Sequence, residues 1–159
     1  MILGGRESRL MILTTVVIAM VLSVLPLPPW LVIVRPAFLV LVVLYWSSMT
    51  PHAFGIFLGW LSGLAIDVFQ GAQLGEHALA LSFITYLAVR FHLQVRAKPI
   101  FEQSIFVLIA LLLYETLLWW IDGWSGHALN SPTRWVHALT GALIWPIVVG
   151  VLGRTHSPR

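Results

Sequence analysis

Between Gly59 and Gly75 the chain reads Gly59-Trp-Leu-Ser-Gly63-Leu-Ala-Ile-Asp67-Val-Phe-Gln-Gly71-Ala-Gln-Leu-Gly75. Glycine, glycine, aspartate, glycine and glycine recur at every fourth position, with one carboxylate in otherwise apolar sequence. Residues four apart share a face of a helix. Glycines on such a face let a second helix approach backbone to backbone, as helices do in lipid. A four-residue step overshoots a turn by about 40°, so the row drifts around the helix and meets more than one neighbour. Gln70-Gly71 and Gln73 are poor membrane residues, so the row reads as loop from Gly71 on. Asp67 then has two readings. It is a functional acid inside an apolar span, or it sits one turn inside the span end and is partly hydrated.

Composition fixes the solvent of this helix. Of 159 residues, 59% are hydrophobic and only 9% charged, with a mean hydropathy of +0.93. Soluble domains carry roughly 25% charged residues, so the chain reads as an all-α integral membrane protein with a single transmembrane domain over residues 1–159. The absence of cysteine excludes disulfides, thiolate metal sites and a thiol nucleophile. A formal charge of +3 does not point to nucleic acid, because the nine Lys and Arg are scattered near span ends and form no basic face.

Six apolar segments are predicted as spans, at about 10–26, 31–49, 53–70, 78–93, 100–121 and 135–153. The first follows a charged lead but lacks a small-x-small cleavage site, so it reads as uncleaved. The second carries Arg35-Pro36 near its start, where proline is tolerated. Spans two and three, joined by a very short turn, read as an antiparallel pair. The stretch 122–133 is the longest loop. Arg6, Arg9, Arg90, Arg96, Lys98, Arg154 and Arg159 then fall on one side of the membrane, and only Arg35 and Arg134 on the other. The positive-inside rule puts both termini in the cytoplasm.

That topology places Arg35, Asp67 and Glu115 in the outer half of the bilayer. Charges in membranes pair with each other or face a hydrated cavity. Arg35 is therefore expected to pair with Asp67 or Glu115, with Asp67 favoured by the hairpin; independent snorkelling is the alternative. No Ser-His, His-Glu-x-x-His or phosphate-loop pattern is present. The six histidines show no metal-ligand spacing. Trp30, Trp46, Trp119, Trp120, Trp124 and Trp135 read as an interfacial belt. Trp145-Pro146 predicts a kink in the last span, and Gly141 one turn earlier could admit a neighbour. Gly59, Gly63, Gly71, Gly75, Gly141, Pro36, Trp145 and Pro146 are thus candidate helix-packing positions, with no catalytic, cofactor or metal site.

Taken in order, Arg35-Pro36, Leu44-Tyr45-Trp46, Pro51-His52, the glycine–aspartate row and Trp145-Pro146 resemble the rod shape-determining protein MreD family. The resemblance covers nearly the full chain. It implies a multi-pass inner-membrane member of the bacterial cell-elongation complex, without enzymatic activity or cofactor. It also implies partners: MreC, MreB filaments, and the polymerase RodA with its elongation transpeptidase. The family fold is similar to the six-helix substrate-binding subunits of energy-coupling vitamin transporters. Arg35, Pro36, Asp67 and the glycines match the family pattern. A non-catalytic scaffold is therefore expected, with a small-molecule or lipid-binding transporter-type subunit as the alternative. An intramembrane enzyme has the least support.

Overall fold

The computed structural model describes residues 5–126 and 132–156. Its regular structure is entirely helical: α1 (Gly5–Val24), α2 (Pro29–Val32), α3 (Phe38–Met49), α4 (Ile56–Gln70), α5 (Glu76–Ala97), α6 (Ile100–Ser125) and α7 (Thr133–His156). The chain is an all-α membrane protein. Helices α5 and α6, with Thr133–Arg154 of α7, are long and apolar enough to cross a bilayer. The apolar helices Arg9–Val24, Phe38–Met49 and Ile56–Gln70 are shorter.

The core is built around α3. Leu39 to Leu41 and Val43 to Ser48 are all buried, so this helix is enclosed on every side. A helix that is apolar around its whole circumference is stable only when surrounded. Here α5, α1 and α7 surround it. Its 12 residues extend about 18 Å, short of the roughly 30 Å hydrocarbon core.

Residues 31–49 are not one helix, as the sequence pattern had suggested. Helix α2 ends at Val32 and α3 begins at Phe38. Pro36 accounts for the break: it lies beyond the first turn of a helix starting at residue 31, lacks the needed N–H and disfavours helical backbone at Arg35. The expected pairing of spans two and three is also corrected. Helix α4 packs most extensively on α5, while α3 packs on α5 and α1.

The glycine row explains the α4–α5 contact. A Cβ on Gly59 would collide with the Thr85 side chain. One on Gly63 would stand 2.6 Å from both Ala78 N and His77 O. The two helix backbones therefore touch, and this face is occupied by the chain itself. Gly141 on α7 instead makes room for a side chain of α6, since an added Cβ would meet Leu111 Cδ1 at 2.6 Å.

Two aromatic assignments change. Trp46 is fully buried and its indole donates to Thr15 Oγ1 at 2.9 Å, so it is a core residue and not part of a belt. Its ring meets Tyr45 edge-on at 5.2 Å, and Tyr45 lies 6.4 Å from Trp145. Trp145 is also fully buried and donates to Gln103 Oε1 at 3.4 Å. Helix α7 continues through Pro146. Trp30, Trp119, Trp120, Trp124 and Trp135 do face outward. Asp122, expected in a loop, lies in the last turn of α6, which closes at Gly126 with a φ of 73°. His127 and residues 128–131 of that connection lie outside the described residues.

Gly63→Ala is expected to destabilise the fold by about 1–3 kcal/mol, the usual range for overpacking. Gly150→Ala, at a helical position with open space around it, should not destabilise the chain and should add up to about 1 kcal/mol through helix propensity. Thermal unfolding of the purified chain in mild detergent checks both.

Candidate functional site

Four of the six acids, Asp67, Glu76, Glu115 and Asp122, gather with Arg35, Arg134, His77 and His137 where α4 ends and α5 begins. Asp67 is the most enclosed, with no solvent exposure. Its Oδ2 accepts from Gly75 N at 2.9 Å and from Ala78 N at 3.4 Å. Its Oδ1 accepts from His77 N at 3.0 Å and from His77 Nδ1 at 2.7 Å. The first N–H groups of a helix have no partner within it. Here a carboxylate from the preceding helix supplies that partner, at the end where the helix dipole favours negative charge.

The same residue also closes α4. The Asp67 carbonyl accepts from Gly71 N and, at 3.0 Å, from Ala72 N. The Ala72 bond is the long bond of a Schellman ending, with Gly71 left-handed at φ 64°. Gly75 has φ 103° and presents its N–H to the carboxylate. A Cβ on Gly71 or Gly75 would meet nothing. These two glycines are turn residues, not the packing residues expected, and they are required by backbone conformation.

Arg35 does not pair with Asp67. Its guanidinium donates to the carbonyls of Leu22 and Leu25, the second at 3.1 Å. Those carbonyls lie at the open C-terminal end of α1, where cations are favoured. Each charge has therefore found a helix end in place of the other charge. Asp67 has no acceptor site left over, and α3 is not seated against α4.

Arg35 and Glu115 nonetheless share a wall. A cavity of about 350 Å³ is lined by both, together with Glu76, His77, Tyr114, Arg134 and His137. Asp67 is not in its lining. Arg134 binds Asp122 as an ion pair across the α6–α7 connection. His137 Nε2 donates to Val32 O at 3.2 Å, tying α7 to α2. A second hollow, on the side of the 71–75 turn, shares Glu76, His77 and Arg134 and adds Asp122. Ser125 donates to Gln73 Oε1 at 2.8 Å and ties that turn to α6.

Sequence reasoning missed Glu76, His77, Asp122, Arg134 and His137 as members of this site. Opposite charges flanking one connection, Asp122 and Arg134, were the available signal. Among the described residues no group of three His, Asp or Glu side chains is arranged to hold a metal.

A family model for the rod shape-determining protein MreD matches residues 6–154. The chain belongs to the MreD family. The rod shape-determining protein MreD of Haemophilus influenzae is 33% identical over 137 residues, which cover 86% of this chain and 85% of that protein. No solved structure matches. The glycine–aspartate row is thus used within the chain itself: two glycines pack, one acid caps and two glycines turn.

Asp67→Asn keeps the size but forces an amide nitrogen against backbone N–H donors. Loss of the charged acceptor is expected to cost about 1.5–3 kcal/mol, read as a lower midpoint of thermal unfolding. Asp122→Asn and Arg134→Gln should each destabilise the chain, and the double variant should be less harmful than their sum, since the two share one interaction.

Proposed function

We propose that the chain is a non-catalytic scaffold of the cell-elongation machinery in the bacterial inner membrane, needed for rod shape and lateral peptidoglycan synthesis. The observation that carries this is family membership along residues 6–154, together with the curated relative's role in shape determination. Its partners are MreC, RodA with the elongation transpeptidase, and MreB filaments. The chain crosses the membrane six times, α2 and α3 with their connection making one crossing, and both termini lie in the cytoplasm. The distribution of Lys and Arg supports that orientation: Arg9, Arg90, Arg96, Lys98 and Arg154 stand at one end, Arg35 and Arg134 at the other.

The packing supports a scaffold that works through its outer faces. The glycine faces of α4 and α7 are used internally, so partners meet other surfaces. The outward residues of α6, among them Ile105, Ile109, Trp120 and Trp124, are exposed and apolar. The connections are short, so partner contacts run largely along helices within the bilayer. A second reading, a lipid- or small-molecule-binding subunit, is favoured by the cavity beside Glu115.

Depleting the protein in its own host is expected to turn rods into spheres, and affinity purification in mild detergent is expected to recover MreC and the elongation polymerase. Cells that stay rod-shaped on depletion, or wild-type protein that recovers neither partner, would overturn the scaffold reading. A reporter that is active only in the cytoplasm should be active at both termini.

A further inference from the structure

Glu115 is only 6% exposed, and what remains open faces the cavity of about 350 Å³. Among the described residues nothing hydrogen-bonds to its carboxylate and no cationic nitrogen stands within 4.0 Å of it. The neighbouring basic side chains make their contacts elsewhere. Arg134 is bound to Asp122 through Nη2 alone, Arg35 to the carbonyls of Leu22 and Leu25, His77 to Asp67, and His137 to Val32 O. A carboxylate buried without a partner is costly in protein or lipid. Glu115 therefore faces the cavity without an ion pair of its own, and Arg134 Nη1 in the same wall is also unpartnered.

We propose that the cavity binds the primary ammonium group of an organic ligand, with Glu115 as its counter-ion. The rest of the wall selects for an organic cation over a metal ion. Val32, Leu39, Ile66 and Leu118 give it apolar surface, and Tyr114 adds an aromatic ring beside the acid. Arg35 and Arg134 in the same wall oppose a compact divalent ion but suit a ligand that carries an anionic group next to its ammonium. An aminophospholipid headgroup and a soluble amine both supply that chemistry.

Native mass spectrometry of the full-length chain in mild detergent tests this. The probes are phosphatidylethanolamine, phosphatidylglycerol and N-acylated phosphatidylethanolamine of matched acyl chains, and free ethanolamine. Wild type is expected to retain phosphatidylethanolamine about tenfold better than either lipid without an ammonium, the factor given by one charge-assisted hydrogen bond. Glu115→Gln should abolish that preference. Glu102→Gln, at the exposed acid paired with Lys98, should leave it intact. An ethanolamine adduct lost in Glu115→Gln, without lipid preference, would support the site and name a soluble amine as its source. Equal retention of all three lipids by wild type with no ethanolamine adduct would overturn the proposal. So would a preference that persists in Glu115→Gln. The N-acylated lipid keeps the test decisive on wild type alone if that variant does not fold. Partner recovery plays no part in it, so its failure is separate from failure of the scaffold reading.

Discussion

One carboxylate holds the polar end of this molecule together. Asp67 closes α4 with its carbonyl and opens α5 with its side chain, so the chain reverses direction through five residues. Neither feature works without the other. A tight reversal leaves four amides at the start of α5 unpaired, and amides buried in protein need a partner in place of water. The buried acid and the exposed-end amides solve one another's problem. With the reversal fixed, Gly59 and Gly63 fall opposite Thr85 and Ala78, and α4 can lie directly on α5.

Arg35 follows the same logic with the opposite sign. It caps the open carbonyls of α1 and so fixes where the chain leaves that helix before α3 enters the core. Ionisable residues in an apolar protein are usually expected to seek each other. Here two of them seek helix ends, whose partial charges are just as real and lie closer along the chain. The remaining charges, Asp122 with Arg134 and Glu76 beside them, line the hollow that this capping leaves open. Glu115 lines the neighbouring cavity, which shares Glu76, His77 and Arg134 with that hollow. The polar end of the bundle is therefore a consequence of how its helices are terminated.

Much of this was legible in the sequence, and the misses have physical causes. Spacing of four placed Gly59 and Gly63 on one face and marked residues from Gly71 on as turn. It could not show that the partner helix is the next one in the same chain. Asp67 stood out as an acid in apolar sequence, but its acceptor geometry depends on amides eight to eleven residues later, which no side-chain pattern encodes. Pairing Arg35 with Asp67 assumed that consecutive helices pack together; α3 instead lies against α1 and α5. Trp46 was assigned to the interface by its position near a span end, whereas the shortness of α3 puts that end inside the bundle. Asp122 stands so close before the helix-breaking residues that the sequence pattern places it in the loop.

Amide-resolved hydrogen exchange on the full-length protein in a bilayer mimic tests the central claim most directly. The amides of Gly75, His77 and Ala78 should exchange as slowly as those inside α5, because Asp67 accepts from each of them. Leu74, exposed in the same turn, should exchange fast. Exchange at all four positions at the fast rate of an open loop would contradict the account.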